Sequence, residues 1–177
     1  DGISIAEKIG AKLSSSATLV KESGYCFANQ RNRPHRVSMM PGAVWINAEG
    51  RRFCDESTGN DHNNPNLLVQ QPGMIGYALF DTNLLDDVIA HPTPLVNNMF
   101  LKPGDPLIRT QLEDAHARTP DLCCIVDTWA EIAQWLGIAP EILELTIAEY
   151  NDGCCQQYDP IFAKPKEQLK ALTKAPC

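Results

Sequence analysis

Apolar residues recur along this chain at spacings that assign elements before any chemistry is considered. Ile5, Ile9 and Leu13 stand four apart, so a helix is predicted over 3–13, ended by the three serines at 14–16. Residues 43–48 (AVWINA) read as a strand, Glu49 and Gly50 as a turn, and 51–54 (RRFC) as the returning arm of a hairpin. Gly50 is the position there most in need of a positive φ. A short helix follows over 65–71, then a strand over 75–80 (IGYALF), then a helix over 83–90 capped by Asp81 and Thr82. Four prolines within 91–107 predict an irregular excursion, followed by a helix over 108–118 and a short strand over 122–126.

The last third has the sharpest signals. Thr128 and Glu131 form a capping box, and Trp129, Ile132, Ala133 and Leu136 share one face of the helix it opens. Gly137 supplies a left-handed stop, with Ile138 placed to fold back. Pro140 opens a second helix through residue 152, whose stripe is Leu143, Thr146, Ile147, Tyr150 and Cys154. The fold class expected is α+β: a small, mainly antiparallel sheet holding the 43–54 hairpin, with helices 129–136 and 140–152 packed nearby.

Composition narrows the function. The chain has 177 residues and a formal charge of -7, which argues against a nucleic-acid partner, since that needs a basic face. No run approaches the roughly 20 apolar residues of a membrane span. Seven cysteines and four scattered histidines show no metal-ligand spacing, so no metal is expected, and a reducing, cytoplasmic setting is. Cys123 and Cys124 read as small buried hydrophobes, and Trp45, Trp129 and Trp135 as core aromatics. Two polar loops stand out. Residues 29–36 (NQRNRPHR) read as a solvated loop or an anion patch; residues 55–66 (DESTGNDHNNPN) read as a connection or as the holder of functional groups.

Three segments in order resemble one family. GAVWINAEGRRFCDEST (42–58) is similar to the hairpin of the fumarate reductase and succinate dehydrogenase flavoprotein superfamily, with Asn47, Gly50, Arg52, Phe53, Asp55 and Glu56 at its motif positions. Residues 127–165 resemble that family's later series through Asp127, Thr128, Glu131, Leu136, Gly137, Ile138, Thr146, Tyr150, Asn151, Asp159, Phe162, Lys164 and Pro165. Asp1, Gly2, Ala6 and Gly10 look like the stretch preceding the family's inserted domain.

The resemblance implies a flavoprotein capping domain over 14–176, preceded at 1–13 by the end of a flavin-domain segment. It implies FAD in the full-length protein but none bound by this chain, which has no G-x-G-x-x-G. The implied partners are the FAD-binding domain of the same protein and a small-molecule substrate. Glu56 is carried over as the catalytic carboxylate, relaying protons or holding the substrate environment, with Ser57, Thr58 and Asn60 as substrate-binding candidates beside it. The family's cap arginines would fall near Leu84 or Leu85 and near Asn60, and no arginine lies between Arg52 and Arg109. Fumarate reduction is therefore in doubt. The alternatives are a ketosteroid-type dehydrogenase cap and a non-catalytic interaction module of the same architecture.

Overall fold

The computed structural model describes residues 2–11, 40–58, 67–91 and 107–174. Two strands, β1 (Val44–Asn47) and β2 (Gly76–Leu79), form an antiparallel pair in which Val44 faces Leu79 and Asn47 faces Gly76. The helices among the described residues include α1 (Gly2–Lys8), α2 (Thr82–Ala90), α3 (Leu107–Arg118), α4 (Trp129–Leu136) and α5 (Pro140–Gln156). This is compatible with the α+β class.

The hairpin differs from its expected form. Asn47 N–H donates to Arg51 O and Gly50 N–H to Asn47 O, closing the expected turn with Gly50 at φ +77°. The returning arm, however, is one bridge between Ile46 and Arg52, and the full-length partner of β1 is β2. The reason lies in Asn47: its side-chain carbonyl accepts from Glu49 and Arg51 N–H and pulls the chain into a tight turn. β1 thus lies between β2 and Arg52, and all four of its residues are buried.

One core sits between β1 and the α4–α5 pair. Val44, Ile46 and Leu79 meet Ile132, Ala133, Leu143, Ile147, Tyr150 and Leu172. The predicted stripes of both helices are the ones buried there, and full burial of each such side chain is worth about 1.5–3 kcal/mol. Thr128 Oγ1 accepts from Glu131 N–H at 3.2 Å, and Gly137 ends α4 at φ +72°. A second cluster joins Met40 and Ala43 to Leu84, Leu85 and Val88 of α2 and Ile108 and Leu112 of α3.

Two further expectations need correction. α1 ends at Lys8 rather than at residue 13, and Ile5 and Ile9 of its expected face are exposed. Residues 122–126 form no strand: His116 and Leu112 of α3 engage Cys123 and Ile125, and Trp135 Nε1–H donates to Pro120 O, so side chains rather than a neighbouring strand hold this segment. The basic loop 29–36 lies outside the described residues.

Candidate functional site

Just after the hairpin, Glu56 opens a single 3-10 turn (Glu56–Thr58) and is 1% exposed. A carboxylate so placed requires partners, because burying an unpaired charge costs several kcal/mol. Oε1 accepts from Trp45 N–H at 3.1 Å and Arg52 Nε at 2.9 Å, while Oε2 accepts from Arg52 at 2.9 Å and lies 3.2 Å from Lys164 Nζ. Both oxygens are therefore filled, two donors apiece, which saturates a carboxylate's acceptor sites.

Arg52 joins this centre to the chain beyond α5. Besides Glu56 it donates to Asp159 Oδ2 at 2.9 Å, and its guanidinium lies over the rings of Tyr150 and Phe162 at 4.9 and 5.0 Å. Burial opposes its charge, yet the hydrogen bonds to Glu56 and Asp159 hold its pKa above the usual arginine value. Asp159 is itself organised by the turn it starts: Oδ1 accepts from Ile161 and Phe162 N–H. Burial pushes its pKa up, but the Arg52 hydrogen bond and these amides outweigh that and hold it below the ordinary carboxylate value.

Lys164 is 2% exposed and donates to Ala43 O at 3.1 Å and Tyr150 OH at 3.3 Å in addition to Glu56. Burial lowers its pKa against the pull of Glu56. The Tyr150 hydroxyl, pushed up chiefly by burial, also accepts from Lys170 N–H at 3.3 Å. Cys54, beside Arg52, is a buried thiol pushed up to about 12 by burial.

Of the expected site residues, Glu56 is at the centre of this network. Ser57 is half-buried and its N–H donates to Asp55 Oδ1 at 2.9 Å. Thr58 closes the 3-10 turn, and Asn60 lies outside the described residues. Leu84 and Leu85, where the family's arginine would fall, point into the second cluster at 5% and 8% exposure. Arg109 is not near Glu56's network by any contact; it pairs with Asp86 across α2 and α3. The charged partners of Glu56 carry a weak sequence signal. Arg52 at i−4 could have been foreseen as an ion pair, whereas Lys164, 108 residues away, is set by tertiary packing alone.

A cleft of about 290 Å³ opens on the outer side of Arg52 and Asp159, lined also by Glu149, Asp152 and Ile161. Among the described residues no group of three or more His, Cys, Asp or Glu is placed to hold a metal ion. Among the described residues, the strand-to-helix turn from β2 into α2 does not fit a dinucleotide pyrophosphate. Its N-terminal amide at Leu84 is taken by Asp81 Oδ1, and Asp81 Oδ2 binds Thr173 and Lys174 N–H. No helix here is long and apolar enough to cross a membrane, among the described residues.

No protein-family model matches the chain. Over 99% of its length it is 26% identical to the NADH:acrylate oxidoreductase of Vibrio harveyi, of which it spans 15%. A flavocytochrome c3 fumarate reductase in its open conformation matches 78% of the chain, with a TM-score of 0.53 and 21% identity. The chain is thus similar in sequence or fold to proteins of the FAD-dependent fumarate reductase family.

Two other structures share its fold. The solution structure of a fumarate reductase flavoprotein subunit from Lactobacillus plantarum covers 80% of the chain, at a TM-score of 0.50 and 18% identity. The 3-ketosteroid-delta4-(5alpha)-dehydrogenase of Rhodococcus jostii RHA1 covers 77%, at 0.50 and 16%. The chain spans 20% of the flavocytochrome and 24% of the dehydrogenase, so it corresponds to a portion of these longer family members. Of the residues that carried the family resemblance, Arg52 and Glu56 in one segment and Asp159, Phe162 and Lys164 in the other meet around one network.

Proposed function

We propose that residues 14–176 are the substrate-capping domain of an FAD-dependent reductase, with 1–13 the end of the flavin-domain segment that precedes it. The whole protein would reduce an activated carbon–carbon bond, and this chain would cover the substrate and exclude water from the reacting centre. The observation that carries the reading is the alignment with an acrylate oxidoreductase over 99% of this chain. The FAD itself would be held by the FAD-binding domain of the same protein, the cap's partner.

The substrate we favour is an α,β-unsaturated acid or enone carrying at most one carboxylate. A dicarboxylate needs paired cations, and the cap has buried leucines at 84 and 85 where the family's arginine is expected. Losing one charge-assisted carboxylate contact costs about 1.5–3 kcal/mol. Losing the general acid costs about 100- to 10,000-fold in rate.

Glu56 serves this cap by holding the start of the polar segment that carries Ser57, Thr58 and Asn60. Its saturated oxygens favour that role over proton relay, since each donor would have to leave before a proton could arrive. The whole protein should be assayed with a reduced dye on acrylate, enones and fumarate. Turnover of the first two with fumarate rejected supports the reading, robust fumarate reduction overturns the substrate assignment, and turnover of none favours the interaction module.

A further inference from the structure

The four buried charges paired around Glu56 balance. Arg52 comes from the hairpin and Glu56 from the turn just after it, Asp159 and Lys164 from the segment after α5, and all four are sequestered from solvent with side chains 5% exposed or less. The segment after α5 is then tied down repeatedly. Lys164 reaches Ala43 O at the foot of β1, Lys170 N–H reaches Tyr150 OH, Leu172 is bound by Asn151, and Thr173 and Lys174 by Asp81. Of these ties, only those made by Arg52 and Lys164 join that segment to the hairpin through ionised groups.

We propose that Lys164 is a positioning residue: through Glu56 it locks segment 159–174 to the hairpin, so that the hairpin and the chain's path out of α5 move as one body. Lys164 Nζ has as many acceptors within reach as it has hydrogens: Glu56 Oε2 at 3.2 Å, Ala43 O at 3.1 Å and Tyr150 OH at 3.3 Å. An ammonium group with every donor spent inside the protein cannot contact a substrate without leaving this site. Where the cap reading holds, on which this consequence rests, the lock sets where the segment after Glu56 begins relative to the segment that leaves the cap.

Charge balance makes the lock testable. Glu56→Gln leaves two cations facing one anion, Lys164→Met leaves one cation facing two anions, and the double variant restores one of each. Cys54 is the reporter, being 2% exposed and adjacent to Phe53 and Asp55 in the locked segment. The chain is labelled with a thiol reagent under native conditions, and each cysteine is read by peptide mass spectrometry. The exposed Cys155 is the internal standard, and the half-buried Cys123, outside the network, reports general loosening.

Each single variant is expected to label Cys54 about 100-fold faster or more, the scale of stranding one buried charge. Cys123 should change far less, and the double variant should return Cys54 to within about tenfold of wild type, since both charges leave together. Additive effects of the two substitutions, or unchanged Cys54 protection in the single variants, overturn the proposal. Should the singles fail to fold, a folded double variant with protected Cys54 still supports it and an unfolded one overturns it. The labelling needs no flavin, so its failure is distinct from a failure of the cap assignment.

Discussion

Asn151 treats Leu172 as a neighbouring strand would. Its side-chain amide donates to Leu172 O at 2.9 Å, and its side-chain carbonyl accepts from Leu172 N–H at 2.9 Å. Both backbone groups of a residue that is 1% exposed are thereby satisfied by one side chain on α5. Asn151→Ala should cost about 2–4 kcal/mol, since two hydrogen bonds go and two polar groups are stranded. Denaturant midpoints measure this, and a loss below about 0.5 kcal/mol, the scale of an ordinary surface change, would show that water replaces the amide.

Glycines 50 and 137 share a positive φ and should nevertheless respond differently to alanine. At Gly137 (φ +72°) a new Cβ meets nothing within 4 Å, so only the left-handed backbone cost of about 1–2 kcal/mol applies. At Gly50 (φ +77°) it would lie 2.5 Å from Ile138 Cδ1 and 3.4 Å from Ile142 Cγ2, so packing strain of about 1–3 kcal/mol is added. Gly50→Ala is expected to lower the melting temperature more than Gly137→Ala. Equal shifts would mean that Ile138 moves aside freely.

Acid should loosen the network through Asp159. Its folded pKa lies below the ordinary value, so the unfolded chain takes up this proton at higher pH than the native one does. The stabilisation is therefore full above about pH 4, the unfolded range, and is lost as pH falls through the lower folded value. Asp159→Asn should lower stability at neutral pH and flatten its fall across about pH 2 to pH 5. An unchanged acid slope in the variant, followed by denaturant unfolding, would assign that slope to other carboxylates.

Purified alone, the chain is expected to be colourless and inert toward an artificial electron acceptor. It has no G-x-G-x-x-G, and the β2-to-α2 turn is capped by its own Asp81. An absorption spectrum with flavin bands at one equivalent would refute this.

Local chemistry made much of the fold legible. Thr128, Gly137 and Pro140 each act through neighbours within four residues, and α4 and the start of α5 appear where those residues place them. The hairpin's second arm is shorter than its turn suggests, because a turn followed by RRFC cannot show that β1 finds its main partner some 30 residues on, in β2. The segment 122–126 has the composition of a strand, but strand pairing needs an edge, and here α3 and Trp135 hold it instead.

The site was legible only by position. Glu56 was singled out from its place after Arg52 and Phe53, yet its burial and its pairing with Lys164 depend on a contact across 108 residues that no spacing reveals. α5 ends at Gln157 in a left-handed conformation, which turns the chain back and delivers Asp159 and Lys164 to the hairpin. A glutamine gives little warning of that reversal, because glycine or asparagine is the usual residue there.

The burial of Leu84 and Leu85 constrains how this protein could change. A lineage or an engineer seeking a dicarboxylate substrate would turn first to an arginine on α2. At either position the guanidinium would enter an apolar cluster with Val88, Ile108 and Leu112. The step is closed to a single codon change, because the variant would lose its second core before it gained a ligand. Access to that chemistry would require α2 to turn about its axis and repack, with Asp81 surrendering its hold on Thr173 and Lys174. If the proposed cap reading holds, acceptor preference and structural integrity are inherited together in this chain.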